Sequence, residues 1–497
     1  MVYSPAALKR QLGGTSCNVA ALIAIAVLVL TVQEVVINIH GFAAGSARGR
    51  GPTLALILVW AFLAAVGTSL ALRIRSHKFA LGIVVAGLLA VQLGGLSRTV
   101  VISSDLYRYA WDGKVQAAGI DPYRYSPVDP ALSDHRDTWL FPSPVECRTL
   151  HESPGCTRIN YKDVHTIYPP VAEAEFALVH LLPGPPREHR QQVAADVTAL
   201  VACLLLGCLL VRSGRNPAWV TLFAWSPLVG LDLGSDAHID GLAVALALAA
   251  FLAWQPRLPH PPDRDLHRRA TVLTGLLIGA AIVVKLYPVL LLVPFLRRDP
   301  TRTGRGLMLG CASGLVLASY TPHVMAVGTH VVGFLPDYLR VEGYQQGSRF
   351  LVLGLLGLPG EVSKLLAVTV LIVVGLVILR SDPLRLPAPR AALYLVGAAF
   401  IVATPDQPWY GLLLVALSIA ADRPEWSLVA VAAYPLYFAS HAHQKMVIGS
   451  VAYGLAAAAV LGVAVTRAAR SQQAPCNSPD DAGTQVVWTS WSPTRLR

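Results

Sequence analysis

The sequence predicts an all-α, polytopic integral membrane protein with about 12 transmembrane helices, within a range of about 11 to 14. Of its 497 residues, 54% are hydrophobic and 14% are charged, whereas soluble domains carry roughly 25% charged residues. The mean hydropathy is +0.54, and many apolar runs reach the ~20 residues that a helix needs to cross a bilayer. The net charge of +11 falls mostly in short loops and termini. There it sets orientation and does not indicate nucleic-acid binding.

The N-terminal region, residues 1–97, predicts three membrane-spanning helices. Their apolar runs cover residues 19–37, 52–72 and 79–96. The turn at 73–78 is short and basic, so we expect it to be cytoplasmic, which places residues 98–166 outside. This outer segment contains six prolines and charges of both signs. It therefore predicts an irregular, packed cover with short helices.

Residues 167–466 predict the main transmembrane bundle. A helix from residue 170 to about residue 182 contains Glu173 and Glu175, which make it a poor lipid-facing span. The apolar runs that follow cover residues 193–211, 219–233, 239–254, 271–296, 306–319, 324–335, 362–379, 391–403, 411–421, 428–439 and 447–465. Arginines flank the run 271–296 on both sides, and Lys285 and Pro288 lie inside it. Because basic flanks favour the cytoplasm, we expect a helix broken at membrane depth, which is tolerated where it lines a polar cavity. The loop 255–269 and the polar tail, residues 467–497, are expected to be cytoplasmic, the tail disordered.

The seven cysteines show no metal-ligand spacing, and no metal or cofactor is expected from them. Four lie in or beside apolar runs and are interpreted as small buried residues: Cys17, Cys203, Cys208 and Cys311. Cys147 and Cys156 both lie in the outer segment, where an oxidising compartment favours a disulfide between them.

The first long polar stretch of the chain, SSDLYRYAWDGKVQAAGIDPYRYSP, covers residues 103–127. Ser103 or Ser104 can cap a helix whose first turn contains Asp105, where the helix dipole favours its charge. Gly119 is a natural end for this helix.

On this helix, Asp105, Arg108, Asp112 and Gln116 share one face, with Tyr109 beside them. Two carboxylates, a guanidinium and aromatic rings at a membrane surface suggest the edge of an active site. A solvated helix with a surface ion pair between Arg108 and Asp112 is an equally good interpretation of the pattern.

The run Asp-Leu-Tyr-Arg-Tyr-x-Trp-Asp-Gly at 105–113, followed by Gly-Ile-Asp-Pro-Tyr at 119–123, resembles the outer loop of the GT-C glycosyltransferases. It is most similar to the actinobacterial polyprenyl-phosphate-mannose-dependent mannosyltransferases of glycosyltransferase family 87. Weaker similarities lie at 167–170, 234–241, 285–288 and 408–410. The resemblance extends over residues from about 100 to 410 and implies the GT-C fold.

The resemblance also implies an activity. It predicts inverting transfer of mannose from a polyprenyl phosphate to a glycolipid or polysaccharide, in cell-envelope biosynthesis at the outer face of the cell membrane. Asp105 would be the general base, and Asp112, Arg108 and Tyr109 would position the acceptor. No nucleotide-binding fingerprint occurs in the sequence, which agrees with a lipid-linked donor.

Ionisable residues at membrane depth are costly and are therefore functional candidates. Lys285 could bind the donor phosphate or could pair with a buried carboxylate. Arg349 could hold the same phosphate with bidentate geometry or could be an ordinary loop arginine. We assign His238 and Tyr168 to the donor phosphate as well.

A group of acidic residues and a histidine falls between two apolar runs: Asp232, Asp236, His238 and Asp240. Carboxylate oxygens suit hard cations, but no ligand spacing supports a metal, and a polar helix–helix connection is favoured.

Three other functions remain compatible with the sequence. An arabinofuranosyltransferase that uses a polyprenyl-phosphate donor would share the architecture. A lipid-linked sugar transporter or flippase would also contain intramembrane charges and broken helices, but it does not need a carboxylate-bearing helix outside the membrane, and no internal repeat is evident. A non-catalytic relative would retain the fold, although the intact Asp105 and Asp112 argue against it.

Overall fold

The computed structural model describes residues 5–38, 47–96, 98–150, 152–185, 187–254, 264–298, 301–439 and 442–473. Every regular element in these ranges is a helix, in agreement with the predicted all-α class. The first ten α-helices are α1 Pro5–Asn38, α2 Ala47–Ala71, α3 His77–Gly95, α4 Asp105–Ala117, α5 Pro144–Thr149, α6 Pro170–His180, α7 Glu188–Arg212, α8 Thr221–Ala224, α9 Asp240–Ala253 and α10 Arg264–Ile282. The other ten are α11 Leu292–Arg298, α12 Arg302–Val327, α13 Leu335–Val341, α14 Leu351–Gly354, α15 Gly360–Arg380, α16 Ala388–Ala403, α17 Gly411–Ala420, α18 Ser427–Val431, α19 Ala433–Phe438 and α20 Ala442–Gln473.

Seven of the described helical stretches are long and apolar enough to cross a membrane, which indicates a multi-pass membrane protein. They are Cys17–Asn38, Arg50–Ala71, His77–Gly95, Glu188–Arg212, Arg302–Val341, Gly360–Arg380 and Gln444–Arg470. Four shorter apolar helices accompany them: Asp240–Ala253, Tyr287–Arg297, Ala388–Ala403 and Pro408–Ala420. The predicted count of about 12 spans is therefore not confirmed.

Proline positions explain part of this difference. The predicted span 219–233 is divided between α8 and a π-helical turn, Leu228–Ser235, at Pro227. The predicted span 428–439 is divided between α18, which ends at Val431, and α19, which begins at Ala433. Val431 lies four residues before Pro435, and a proline ring clashes with the carbonyl of the residue four positions earlier. Two other predicted spans, 306–319 and 324–335, lie on the single stretch Arg302–Val341.

The predicted break near Lys285 is present. Helix α10 ends at Ile282, and a 3₁₀ turn, Tyr287–Leu291, leads into α11. The carbonyl of Val283, which the break releases, accepts hydrogen bonds from the backbone amides of Val171 and Ala172 at 3.0 and 3.4 Å. The amino end of α6 thus satisfies a backbone acceptor that lipid could not satisfy.

The outer segment is irregular with short helices, as predicted: α4, a 3₁₀ turn at Pro130–His135, and α5. Asp105 lies in the first turn of α4, and the backbone turns at Gly119, where φ is +77°. Ser104 occupies the N-cap position without a side-chain capping bond. Instead, the Ser103 hydroxyl accepts a bond from the Asp105 amide at 3.3 Å. Helix α4 packs closely on α6, since a Cβ on Gly113 would lie 2.2 Å from the Phe176 carbonyl oxygen.

The cysteines divide differently from the prediction. Cys147 and Cys156 form a disulfide, as expected. Of the four described free cysteines only Cys203 is buried, while Cys17 and Cys208 are exposed and Cys311 is intermediate. The burial prediction is thus confirmed for Cys203 and fails for the other three, because an apolar run predicts a helix but not which of its faces points away from the protein.

Two segments were predicted to be cytoplasmic, the loop 255–269 and the tail 467–497, and the tail was also predicted to be disordered. Helix α20 continues to Gln473, so the first residues of the predicted disordered tail are helical. Residues 474–497, and residues 255–263 of the predicted cytoplasmic loop, lie outside the described residues.

Replacing Cys147 and Cys156 with serine should lower stability more than turnover. The disulfide closes a short loop, with a sequence separation of 9, and chain entropy gives about 2–3 kcal/mol for a loop of this size. Thermal melting of the purified double variant measures the loss. Non-reducing mass spectrometry of the wild-type protein that found both thiols free would contradict the expectation.

Candidate functional site

A cavity of about 600 Å³ lies between the outer segment and the bundle, within the range usual for ligand sites. Its walls come from parts of the chain that are distant in sequence: residues 102–108, 160–169, 285–287, 334–344 and 399–410, together with Tyr437 and Lys445. Many of the wall residues are aromatic, and a few are charged. The cavity therefore suits a ligand with both apolar and polar parts.

Asp105 reaches this cavity from the first turn of α4, with its side chain 16% exposed. One carboxylate oxygen, Oδ1, accepts a hydrogen bond from Asn160 Nδ2 at 2.5 Å. The other, Oδ2, accepts a bond from the Tyr168 hydroxyl at 3.2 Å. Both partners donate hydrogen bonds to the carboxylate. The carboxylate is held in one orientation with access to the cavity.

His238 lies behind Asp105, and its Nδ1 is 3.6 Å from Asp105 Oδ2. It is fully buried, and its ring stacks on Trp409 with a centroid distance of 3.7 Å. The described residues that line the cavity do not include His238. The structure therefore places this histidine against Asp105, two residues before the start of α9 and outside the described cavity wall.

Lys285 lines the cavity at the break between α10 and α11. Its Nζ lies 3.3 Å from Asp240 Oδ2 and 5.2 Å from the ring centroids of both Tyr168 and Tyr410. The two interpretations made from the sequence are thus compatible. The ammonium pairs with a buried carboxylate and also faces the cavity.

Arg108 and Asp112 form a buried ion pair, so the surface-pair interpretation of α4 is wrong. Arg108 Nε donates to both oxygens of Asp112, at 3.0 and 2.9 Å, and the side chains are only 4% and 3% exposed. Arg108 Nη1 donates to the Val164 carbonyl at 3.1 Å and to the Tyr161 carbonyl at 3.4 Å. Burial raises the pKa of the Asp112 carboxyl, and the Arg108 guanidinium opposes that rise.

Of the three residues predicted to position the acceptor, the cavity wall includes Arg108 but, among the described residues, neither Asp112 nor Tyr109. Tyr109 is buried and stacks on Phe176 with a centroid distance of 4.4 Å. The helical face was predicted correctly, but α6 and the end of the outer segment cover most of it. Asp112 therefore acts on the cavity only through the orientation of Arg108.

Arg349 is buried between two carboxylates. It donates to Glu342 at 2.6 Å and makes a short contact with Asp406. It is also absent from the described cavity wall. The wall residue at this place is Lys445, whose Nζ lies 3.0 Å from Asp406 Oδ2. The sequence analysis did not identify Lys445 or Asn160 as residues of the site. The one signal for Lys445 is its position just before the last apolar run.

The acidic group between the π-helical turn and α9 is buried. Asp232, Asp236 and His238 place potential ligand atoms within 4.8 Å of one another. Asp236, however, accepts hydrogen bonds from the backbone amides of Val101, Ile102 and Ser103 at 2.6, 3.0 and 3.1 Å. This carboxylate fixes the chain immediately before Asp105. The favoured interpretation, a polar connection between elements, explains its contacts.

Comparison with known proteins gives one match. The family model described as Glycosyltransferase family 87 matches residues 166–405. No curated protein and no solved structure matches the chain. The matched segment contains Tyr168 and Lys285, while Asp105 precedes it and the cavity residues from Asp406 to Lys445 follow it.

Proposed function

We propose that this chain is a membrane glycosyltransferase of the glycosyltransferase family 87 type, since that family model matches residues 166–405, and that it transfers a sugar from a polyprenyl phosphate to a hydroxyl of a glycolipid or polysaccharide. We propose mannose as the sugar and the extracytoplasmic face of the cell membrane as the location. The observation that carries the proposal is that Asp105 and Lys285 face one cavity. A base and a cation are the two groups that this reaction requires of the protein.

In the proposed reaction Asp105 is the general base. An acceptor hydroxyl oxygen attacks the anomeric carbon, the bond from that carbon to the phosphate oxygen breaks, and the polyprenyl phosphate leaves with the electron pair. The hydroxyl proton passes to the Asp105 carboxylate. A single displacement of this kind inverts the anomeric configuration. The hydrogen bonds from Asn160 and Tyr168 orient the carboxylate and leave part of it exposed to the cavity.

Lys285 is the proposed cation for the departing phosphate. Fixed positive charge at the atom where negative charge develops stabilises the transition state, and more so where water is excluded. The ammonium has three N–H donors, and its contact with Asp240 leaves donors for a ligand. We assign Lys445, in place of Arg349, as the second cation for the donor phosphate. Lys445 lines the cavity, whereas Arg349 is enclosed by carboxylates.

The function is tested by supplying the purified protein in nanodiscs with radiolabelled polyprenyl-phosphate-mannose or polyprenyl-phosphate-arabinose and a membrane glycolipid extract. We expect label from the mannose donor to appear covalently in a glycolipid, with an inverted anomeric centre by NMR. Transfer from the arabinose donor alone would change the sugar assignment. In proteoliposomes, movement of intact donor across the bilayer without new glycoside would favour a flippase and contradict the proposal.

A further inference from the structure

Tyr161 has an uncommon backbone conformation for a bulky residue, with φ of +46°. Side chains of this size rarely adopt the left-handed region, and such strain persists only where the surrounding structure imposes it. Here the Tyr161 carbonyl accepts hydrogen bonds from the Val164 amide at 3.1 Å and from Arg108 Nη1 at 3.4 Å. The buried pair of Arg108 and Asp112 therefore helps to hold Tyr161 in place.

The strained backbone presents an aromatic ring at the edge of the cavity. Tyr161 lines the cavity wall and is 53% exposed. Its ring centroid lies 5.4 Å from that of Phe334, with an interplanar angle of 42°. Phe334 also lines the cavity, just before α13. The two rings, one from the outer segment and one from the bundle, form what we call the aromatic platform.

The two oxygens of Asp105 accept hydrogen bonds from different parts of the cavity wall. Oδ2 is bound by Tyr168, whose ring lies 5.2 Å from the Lys285 ammonium. Oδ1 is bound by Asn160, the residue that directly precedes Tyr161. The base is thus linked through Tyr168 to the surroundings of the cation and through Asn160 to the segment that carries Tyr161. Asp105, Lys285 and both platform rings line the same cavity, so a molecule that packs on the platform shares that cavity with the base and the cation.

We propose that Tyr161 and Phe334 form an acceptor subsite on which a sugar or cyclic polyol ring stacks. The apolar C–H face of such a ring packs on an aromatic face, while the hydroxyls at its rim remain free to reach Asp105. The inference rests on the proposed transfer reaction and adds the residues that hold the sugar ring of the acceptor, Tyr161 and Phe334. An acceptor without a ring would lack this contact.

The test compares octyl α-mannoside with 1-octanol, which has the same alkyl chain and a free hydroxyl but no ring. The wild-type protein in nanodiscs should transfer sugar to octyl α-mannoside and use 1-octanol poorly. Tyr161→Ala should raise the KM for octyl α-mannoside about 3- to 10-fold, as an aromatic contact of this kind predicts. The kcat and the KM for the donor should change little, and Tyr161→Phe should behave like the wild type.

Tyr161→Gly separates binding from folding. Glycine adopts positive φ without strain, so this variant should melt no lower than Tyr161→Ala while it also lacks the ring. Calorimetric titration with sub-micellar octyl α-mannoside gives a readout that does not require turnover. The wild-type protein should bind it, and Tyr161→Gly should bind at least 3-fold more weakly.

Two results would overturn the subsite while leaving the transfer reaction intact. One is equal use of 1-octanol and octyl α-mannoside by the wild-type protein. The other is a Tyr161→Ala variant whose KM rises for the donor and not for octyl α-mannoside, which would place the donor sugar on the platform. A protein that binds octyl α-mannoside through Tyr161 but consumes no polyprenyl-phosphate donor would instead contradict the proposed reaction.

Discussion

Asp105→Asn is expected to lower the rate of sugar transfer by about 10²–10⁴-fold, the usual contribution of general base catalysis. The substitution keeps the size of the side chain and its ability to occupy the first turn of α4. It removes the group that we propose as the proton acceptor, while the contacts of Lys285 with Asp240 and the aromatic rings are untouched. Donor binding and the melting temperature should therefore remain close to those of the wild type, and transfer kinetics with labelled donor measure the loss.

Asp137→Asn provides a matched control for this variant. Asp137 is also a carboxylate of the outer segment, and its partner is Lys114 on the same helix α4, at 2.7 Å. It is not among the described residues of the main cavity wall, so its transfer rate should match the wild type. If Asp105→Asn kept full turnover, the base would have to be another wall carboxylate, such as Glu342 or Asp406, and the assignment made from the sequence motif would be wrong.

Asp112→Ala is expected to destabilise the folded protein by about 3–5 kcal/mol, the cost of leaving one member of a buried ion pair without its partner. The side chain of Arg108 is only 4% exposed, and both of its bonds from Nε go to Asp112. Without that carboxylate, Arg108 should also hold the Tyr161 carbonyl less well. Thermal melting in detergent measures the loss of stability, and transfer kinetics on the surviving fraction should show weaker use of octyl α-mannoside.

Lys114→Ala is the matched control on the same helix. It breaks the pair with Asp137, whose side chains are 26% and 28% exposed. A partly hydrated pair of this kind contributes at most about 1 kcal/mol. Equal melting temperatures for the two variants would show that burial of the Arg108–Asp112 pair carries no energetic weight.

The first turn of α4, its polar face and its end near Gly119 were predicted from capping and helical spacing, which depend on residues close in the chain. Spacing shows which residues share a face, but not what covers that face. Helix α6 covers Asp112 and Tyr109, so two of the three predicted acceptor residues became support for the wall and did not reach the cavity.

The same limit explains the cations. Lys285 was found because a lysine inside an apolar run is costly and therefore conspicuous. Arg349 was assigned to the donor phosphate because an arginine in a loop can bind phosphate. In the structure its guanidinium instead forms ion pairs with Glu342 and Asp406. Lys445 was missed because it lies in an ordinary position at the edge of the last span.

The sequence by itself determined that this chain is a helical, multi-pass membrane protein and predicted the polar helix α4, because hydropathy, capping and proline effects act over a few neighbouring residues. The match to glycosyltransferase family 87 agrees with the resemblance seen in the motif at 105–113. Only the tertiary structure decided the partners of Asp105, since Asn160 lies 55 residues and Tyr168 63 residues further along the chain. No local pattern specifies such contacts, because they form only when separate helices pack and exclude water between them.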